Sequence, residues 1–401
     1  MTFQLIQGHG ESHRTMKKDF SLSYIELSKK NLIHNIKQFR SLLKRGTKIS
    51  VVIKGNAYGH GQNEVAKILE PYSDYFQVNS VEELELLRKA SKKKTFLFGY
   101  VQKADLSKAV KLGCILAIFS IKQLKELNKT AQRHKIKQEV HISFDAYLGR
   151  EGFLLADLPN FFKEARKYKY IKISGIYAHF ANIEDTSDFT HAQKQIDEYK
   201  EALKFVDEFV VQNPRQSGAS LQTHMSASSG ILAYEKSGGI HSLVRLGLSV
   251  YGMWPSKDIE NMYRKTKFNL KPVLSWKTKI VQVKILEKGN TVGYGLTYKT
   301  SKKIKIAIVP QGYADGLDRG LSNKGEVLVG GTRCKIIGRV SMNMFAIDVN
   351  HLSAVKTNDE VVIIGIQNKE QITAEQVAEK IDTINYEITT RISSLLPRII
   401  T

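Results

Sequence analysis

Between residues 49 and 245, short apolar segments alternate with longer amphipathic segments. The short segments are rich in β-branched and aromatic residues, which favours strands. The predicted strands are 49–53, 75–78, 95–98, 115–118, 139–144, 171–177, 222–224 and 243–245. Helical patterns lie between them, for example at 81–90, 121–134 and 189–213. Eight strands with intervening helices predict an α/β fold, a closed (β/α)8 TIM-like barrel. An open doubly wound sheet is the alternative, although no predicted strand is followed by a dinucleotide-binding glycine pattern.

The pattern changes after about Tyr263, where short β-rich segments are separated by Gly, Asn and Asp. This spacing of turn residues favours a mainly antiparallel β-domain at the C-terminus. Its β-rich segments are 273–286, 303–309, 333–340, 344–349 and 360–365. A helix is predicted at 373–381, where Thr373 precedes Gln376 in a capping-box pattern. We therefore predict an N-terminal extension at 1–20, a barrel domain at 21–262 and a β-rich domain at 263–401.

Composition supports an ordinary globular protein. With 401 residues and 42% hydrophobic content, the chain is long enough to build two full cores. No apolar run is long enough to cross a bilayer, and residues 1–20 lack the apolar stretch of a secretory signal, so we expect a cytoplasmic protein that does not bind membranes. The two cysteines, Cys114 and Cys334, are far apart in the sequence, and we expect both to be reduced.

The formal net charge of +22 raises the question of nucleic-acid binding. The lysines are scattered over predicted helix faces and short runs, without an interleaved aromatic platform or a known binding motif. We therefore predict no specific nucleic-acid partner and only a mild affinity for polyanions. No metal site is predicted.

A single lysine ends the first predicted barrel strand. Lys54 follows an apolar run and precedes the glycine-rich segment 55–61. Burial disfavours the charged ammonium and lowers its pKa, which is the environment of a lysine that forms a Schiff base. The alternative is a strand-end lysine that reaches solvent. The glycine-rich segment that follows Lys54 favours the functional interpretation.

Two later segments predict an anion site at the mouth of the barrel. Residues 224–230 follow the seventh strand with several hydroxyl groups, and Gly247 follows the eighth. Loops after these strands commonly hold phosphate in such barrels. Helix capping is the alternative role for Ser228. Arg245, at the end of the eighth strand, faces the barrel mouth if the alternation holds, or else forms a structural ion pair.

Nine motifs, in order along the chain, resemble the alanine racemase family. The first, residues 51–61, resembles the segment to which pyridoxal phosphate is attached in that family. The others are Gly149-Arg150, 175–180, 224–230, 244–247, 292–295, 312–316, 338–342 and 385–387. The resemblance extends from about Tyr24 to the end of the chain. It also implies that residues 22–27 form a strand that joins the C-terminal domain.

The resemblance implies a pyridoxal-phosphate-dependent racemase that interconverts L-alanine and D-alanine and supplies D-alanine for peptidoglycan. Racemisation needs two acid–base groups, one on each face of the substrate. By resemblance these are Lys54 and Tyr294, with Tyr294 contributed by the β-domain of a second subunit. We therefore expect a homodimer with shared active sites. The alternatives are a serine or broad-spectrum racemase, a basic amino-acid decarboxylase of the same architecture, and a barrel that binds the cofactor without catalysis.

The remaining roles are also implied by the resemblance. Arg245 binds the pyridine nitrogen and His179 supports it from behind. Arg150 contacts the phenolic oxygen of the cofactor and the substrate carboxylate. Tyr313 and Met342 of the second subunit line the narrow opening to the site. The phosphate-holding positions are Tyr58, Ser228, Gly247, Leu248 and Tyr386.

Two positions depart from the family pattern. Many members carry a carbamylated lysine where this chain has Ser143, so we expect another group, such as an anion or water, to support Arg150. The carboxylate that commonly follows Met342 is replaced by Asn343. Both departures lie near the expected substrate position, so the reaction type is better defined than the preferred side chain.

Overall fold

The computed structural model describes residues 21–214, 216–234 and 241–401. The predicted extension, residues 1–20, lies outside the described residues. The described chain begins with strand β1 (Tyr24–Leu27) and helix α1 (Lys29–Leu42), whose N-cap Ser28 accepts the backbone N–H of Asn31. Among the described residues, no helix combines the length and apolar character needed to cross a bilayer.

Eight parallel strands form the barrel. They are β2 (Lys48–Val52), β3 (Tyr75–Val78), β4 (Thr95–Leu97), β5 (Ile115–Ile118), β6 (Gln138–Ser143), β7 (Ile171–Tyr177), β8 (Ser217–His224) and β9 (Leu243–Leu246). Their spatial order is β8-β7-β6-β5-β4-β3-β2-β9. The end strands meet through Thr223 and Ser242, because each side-chain oxygen accepts the backbone N–H of the other residue, at 3.2 and 2.9 Å. The predicted barrel is confirmed, and the open sheet is excluded.

Helical segments connect the strands, and the longer ones cover the outside of the barrel. The helical segments are α2 (Lys54–Tyr58), α3 (Gln62–Leu69), α4 (Val81–Arg88), α5 (Leu106–Leu112), α6 (Ile121–Arg133), α7 (Leu158–Ala165), α8 (Thr190–Gln212), α9 (Ser228–Ala233) and α10 (Lys257–Tyr263). Ser80 and Ser120 cap α4 and α6 by accepting backbone N–H groups three residues later. The apolar faces of these helices pack on the barrel, with Leu84 and Leu124 fully buried.

The C-terminal part is mainly antiparallel β-structure, as predicted, and consists of one large sheet and a separate two-stranded pair, Thr291–Val292 with Tyr298–Lys299. Its strands are β10 (Leu274–Lys279), β11 (Gln282–Leu286), β12 (Thr291–Val292), β13 (Tyr298–Lys299), β14 (Ile304–Val309), β15 (Glu326–Val329), β16 (Thr332–Ile337), β17 (Phe345–Asp348), β18 (Glu360–Gln367), β19 (Glu370–Ile372) and β20 (Arg398–Ile400). Helix α11 (Ala374–Lys380) and helix α12 (Asn385–Thr390) follow β19. The capping box at Thr373 is confirmed, since both of its hydrogen bonds to Gln376 measure 3.2 Å.

Strand β1 belongs to this C-terminal sheet. It pairs antiparallel with β10 and parallel with β20. Ile25 and Leu27 on β1 are fully buried in a core that is continuous with the outer layer of the barrel. The two parts of the chain therefore pack together, and helix α12 lies against the mouth of the barrel.

Candidate functional site

A cavity of about 690 Å³, including the open space at its mouth, lies at the carboxyl ends of the barrel strands. Eight of the residues that the sequence predicts for the site line it: Lys54, Tyr58, His179, Ser228, Arg245, Gly247, Leu248 and Tyr386. Tyr386 comes from α12, so the C-terminal part supplies one wall. Active sites of (β/α)8 barrels lie at this end of the strands, and the cavity is the candidate active site.

Lys54 is placed as the sequence predicts, just beyond the end of β2 and in the cavity wall. Burial lowers the pKa of the Lys54 amine, and the positive charges of Arg150 and Arg245 lower it further. The carboxylates of Glu83 and Glu151 act in the opposite direction, but the net shift is downward. An amine with a lowered pKa is a nucleophile and a proton acceptor closer to neutral pH.

The residues after Lys54 form a left-handed turn. Gly55, Asn56, Ala57 and Tyr58 all have φ between 52° and 60°. Such a run is rare because it brings each Cβ close to the next carbonyl oxygen. Side chains hold its ends: a Glu83 carboxylate oxygen accepts the Gly55 N–H at 2.7 Å, and Asn56 Oδ1 accepts the Gln62 N–H at 2.9 Å. The glycine-rich sequence was the only signal of this turn.

Tyr58, at the end of the turn, places its hydroxyl close to the backbone after β9. A Cβ atom on Gly247 would lie only 2.8 Å from Tyr58 Oη, so the glycine allows this approach. The Tyr58 ring packs between Tyr251 and Tyr386, with centroids 5.3 and 6.1 Å away. Burial raises the pKa of Tyr58 to about 12, so the hydroxyl keeps its proton and can donate it to an anion.

Ser228 joins the loops after β8 and β9. Its Oγ accepts the backbone N–H groups of Gly247 at 3.1 Å and Ser249 at 3.3 Å, which leaves its own proton to donate into the cavity. The capping alternative is wrong, because Ser228 is the first residue of α9 and the cap is Ala227. Glu184, which sequence reasoning missed, also lines the cavity and accepts the Ser229 hydroxyl proton at 2.7 Å.

Arg245 is buried and makes four hydrogen bonds. Nη1 donates to His224 Nδ1 at 2.7 Å and to its carbonyl at 3.1 Å, and Nη2 donates to the carbonyls of Ala178 and Met225. No carboxylate among the described residues forms a salt bridge with it, so the ion-pair alternative is not supported. Burial lowers the pKa of Arg245 to about 10, and the guanidinium therefore remains charged at neutral pH.

The histidine behind Arg245 is His224, which corrects the expectation for His179. His224 Nε2 lies 2.8 Å from Nδ1 of His141, so Arg245, His224 and His141 form a hydrogen-bonded series in which both rings are buried. Burial lowers the pKa of His141 to about 3 and that of His224 well below its usual value, so both rings are neutral. Because His224 Nδ1 accepts from Arg245, its Nε2–H donates to His141. His179 lines the cavity instead, and its Nδ1 has no partner among the described residues.

Arg150 pairs with the next residue in the chain. Its Nε and Nη2 lie 2.7 and 3.2 Å from the two carboxylate oxygens of Glu151. Glu151 is therefore a group that supports Arg150 within the chain, and an additional anion or water there stays a prediction. Ser143 instead donates its hydroxyl to the Glu151 carbonyl at 3.3 Å. The carboxylate of Asp145 holds the loop by accepting three backbone N–H groups, including that of Arg150 at 3.2 Å.

Four expected site residues do not line this cavity, and one of them is Arg150. Tyr294, Tyr313 and Met342 lie on the C-terminal part with exposed fractions of 73%, 44% and 55%. Tyr294 sits between two glycines with positive φ, and a Cβ on Gly295 would lie 3.0 Å from the Arg339 guanidinium. The cavity of one chain therefore contains Lys54 but not Tyr294.

Comparisons with known proteins agree over nearly the whole chain. Residues 27–255 match the family model for the N-terminal domain of alanine racemase, and residues 273–400 match the model for the C-terminal domain. The chain is 36% identical to alanine racemase 1 of Caldanaerobacter subterraneus subsp. tengcongensis over 372 residues, 92% of each chain. It is 34% identical to the alanine racemase of Leptospira interrogans over 388 residues, which cover 96% of this chain and 97% of the relative. The structure of alanine racemase from Bacillus anthracis with bound L-Ala-P superposes with a TM-score of 0.87 at 31% identity, covering 96% of both chains.

Proposed function

Because this chain belongs to the alanine racemase family, we propose that it interconverts L-alanine and D-alanine with pyridoxal phosphate as its cofactor. The observation that carries the proposal is the cavity itself, in which the Lys54 amine and the Arg245 guanidinium share one wall with a set of hydroxyl groups. An amine with a lowered pKa, a permanent cation and several hydroxyl donors suit an aldehyde that carries a phosphate.

The residues of the cavity fit this cofactor. Lys54 would hold its aldehyde carbon, and the hydroxyls of Ser228, Tyr58 and Tyr386 would donate to its phosphate together with the backbone at Gly247 and Leu248. The gap that Gly247 leaves beside Tyr58 Oη is the kind of space that a phosphate oxygen can approach. When bound, the cofactor withdraws electrons from the substrate and so acidifies its Cα–H bond.

Arg245 would face the pyridine nitrogen. A guanidinium donates a hydrogen bond there but does not give up its proton, so the ring nitrogen stays unprotonated. The ring then withdraws electrons less strongly than it would opposite a carboxylate, which limits transamination as a side reaction. The two neutral histidines behind Arg245 hold its orientation without adding charge.

Racemisation also needs a proton donor on the second face of the substrate. We propose that this group is Tyr294 of a second copy of the chain, because the chain's own Tyr294 does not line its cavity. Tyr313 and Met342 would come from the same copy. Exposed apolar side chains nearby, Leu296 and Met344, give this face the composition of an interface. Arg150, paired with Glu151, would bind the substrate carboxylate.

We further propose that the enzyme is cytoplasmic and that its D-alanine supplies peptidoglycan. Serine racemisation is the second candidate, because Ser143 and Asn343 both depart from the family pattern near the substrate. Initial rates for L-alanine, L-serine and L-lysine, measured in parallel, decide between them. Serine turned over faster than alanine would overturn the substrate assignment, and carbon dioxide released from lysine would indicate the decarboxylase.

The proposal for Lys54 is tested by borohydride. The purified protein should be yellow, and reduction should bleach it and fix the cofactor covalently to Lys54 in a peptide map. The Lys54→Ala variant should fold but take no label. Lys48→Ala is the matched control, because Lys48 is exposed at the start of the same strand, and it should be labelled like the wild-type protein. Label on another lysine, or no label, would falsify the assignment.

A further inference from the structure

Both carboxylate oxygens of Glu83 accept backbone N–H groups, and one of these belongs to the residue next to Lys54. Oε1 accepts the N–H of Gly55, the first residue after Lys54, and Oε2 accepts the N–H of Asn79, both at 2.7 Å. Glu83 lies in the first turn of α4, on the βα unit that follows the lysine. Its side chain therefore connects the left-handed turn to the loop after β3.

This use of Glu83 departs from ordinary helix capping. The Ser80 hydroxyl accepts the Glu83 N–H at 3.2 Å, which is half of a capping box, and a glutamate at this position usually returns to the N–H of the cap residue itself. Here one carboxylate oxygen accepts the N–H of Asn79, one residue before the cap, and the other accepts the N–H of Gly55. Helix α3 fixes the other end, because Gln62 Nε2 donates to the Glu83 carbonyl at 2.6 Å.

We propose that Glu83 is a positioning residue for Lys54. Its carboxylate fixes the start of the left-handed turn and offsets the positive charges of the two arginines beside the amine. The inference rests on the proposed role of Lys54. Gly55 follows Lys54 and is the first residue of the left-handed turn, so a bond to its N–H helps to set the direction in which the lysine side chain leaves. Small displacements of a reacting group are costly for rate.

The charges around Lys54 give Glu83 a second effect. The charged and titratable groups that act on Lys54 or feel its charge are Arg150, Glu83, Arg245, Glu151 and His179. Of the two carboxylates in this set, Glu83 has the larger effect on the pKa of Lys54, and it raises that pKa. Without Glu83, the arginines and burial would lower the pKa of Lys54 further.

The experiment separates the effect of the Glu83 charge from the effect of its side-chain length. Glu83→Gln removes the charge and leaves one acceptor for two donors, whereas Glu83→Asp keeps the charge on a side chain too short to span Gly55 and Asn79. Glu85→Gln is the matched control, because Glu85 lies on the same helix and pairs with Lys108 at 2.6 Å. The pKa of Lys54 is read from pH-dependent acetylation of the full chain after hydroxylamine removes the cofactor, and kcat and KM are read from the holoenzyme.

We expect Glu83→Gln to lower the pKa of Lys54 and to reduce kcat by roughly 10- to 100-fold, with KM changed by less than about 3-fold. Glu83→Asp should keep the pKa of Lys54 near that of the wild-type protein while kcat still falls. Glu85→Gln should match the wild-type protein in every respect.

The inference is overturned if Glu83→Gln behaves like Glu85→Gln, or if it lowers only the melting temperature and leaves the pKa of Lys54 and kcat unchanged. If Glu83→Gln does not fold, unchanged kcat in Glu83→Asp overturns it. Failure of the wild-type protein to bind the cofactor through Lys54 would instead contradict the proposed function, and the acetylation comparison would still test Glu83.

Discussion

At the scale of single residues, the site combines an amine with two guanidiniums, and the pKa of Lys54 is lowered despite the carboxylates of Glu83 and Glu151. Arg245 is buried against carbonyl oxygens and a neutral histidine, forms no salt bridge among the described residues, and lowers the pKa of Lys54 through its charge. Arg150 carries its own counter-ion in Glu151. The result is a lysine that loses its proton more readily than a lysine on the surface.

The two proposed bases should differ in the enantiomer they deprotonate. We expect Lys54 to act on D-alanine and Tyr294 on L-alanine. Tyr294→Phe should therefore abolish racemisation in both directions, because each direction needs both groups. In deuterated water, D-alanine should still exchange its Cα proton with retention of configuration, while L-alanine should exchange far more slowly. Proton NMR of each enantiomer measures the exchange.

Tyr298→Phe serves as the control for Tyr294→Phe, because it removes a nearby hydroxyl on β13 and should leave both exchange rates unchanged. Equal exchange from the two enantiomers in Tyr294→Phe would mean that one base serves both faces.

Single residues were predictable where their chemistry conflicts with their position. A lysine at the end of an apolar strand and an arginine at the end of another indicated Lys54 and Arg245. The partner of Arg245 was not predictable, because strand alternation says which face a histidine occupies but not which ring reaches a guanidinium. Glu83 and Glu151 carried no signal, since acidic residues on a helix or in a loop are usually solvated.

At the scale of elements, the left-handed turn is the feature on which the site depends. The C-terminal part of the chain packs closely against the far end of this turn. A Cβ on Gly59 would overlap the Thr389 carbonyl in α12. Arg398 on β20 donates to the Gly59 carbonyl from Nη2 at 2.8 Å. The barrel thus supplies the lysine, and the C-terminal part holds the turn that follows it.

Gly59→Ala should destabilise the protein by more than backbone strain alone. Gly59 has φ of 84°, and an added methyl group would also collide with backbone in α12. Gly113→Ala is the control, because Gly113 has φ of 68° and nothing within 4 Å of a Cβ. We expect a loss of about 1–2 kcal/mol in the free energy of unfolding for Gly113→Ala and a larger loss for Gly59→Ala, measured by urea denaturation. Equal losses would show that α12 can move away.

Most barrel strands were predicted to within two residues, because apolar β-branched runs bounded by turn residues leave little freedom. In the C-terminal part, β12, β13, β15, β19 and β20 were not among the predicted segments. Strand β8 begins at Ser217, five residues earlier than predicted. The prediction missed its first half because that half is poor in β-branched residues. The predicted segment 273–286 is two strands: Ile280 N donates to Asp359 and Val281 N to Ile308, so the chain changes partner there. Such a change of partner depends on tertiary contacts, which the hydrophobic periodicity of the sequence does not reveal.

At the scale of the whole molecule, the proposed dimer makes a prediction about mixtures. If Lys54 and Tyr294 of one site come from different chains, Lys54→Ala and Tyr294→Phe should be inactive alone and active when combined. In a mixed dimer one site receives both substitutions and the other receives neither. Random mixing by co-refolding should then restore about one quarter of the wild-type activity, measured as D-alanine formed. No recovery, with mixed dimers shown by two affinity tags, would place both bases in one chain.

The molecule should also lose stability in mild acid because it buries neutral histidines. Burial lowers the pKa of His60 to about 4, that of His141, His179 and His241 to about 3, and that of His224 well below 6.5. Below pH 6.5 the unfolded chain binds protons at these positions while the folded chain does not. The free energy of unfolding should therefore be highest above pH 6.5 and should fall toward pH 4, by up to roughly 1.4 kcal/mol per pH unit for each histidine.

Urea denaturation at pH 7.5, 6.5, 5.5 and 4.5 measures this dependence. His60→Gln should reduce the slope by about one proton. A slope that is unchanged in His60→Gln would mean that this ring is protonated in the folded state.

The position of β1 between β10 and β20 has a consequence for synthesis on the ribosome. This strand emerges early, but its two partners follow only at residues 274 and 398. The barrel strands between them can pair as they emerge, while the sheet that contains β1 waits for the last strand. Arg398 on that strand also holds the Gly59 carbonyl. The nascent chain should therefore acquire its barrel before its catalytic geometry, and the lysine turn should take its final form only after residue 398 leaves the exit tunnel.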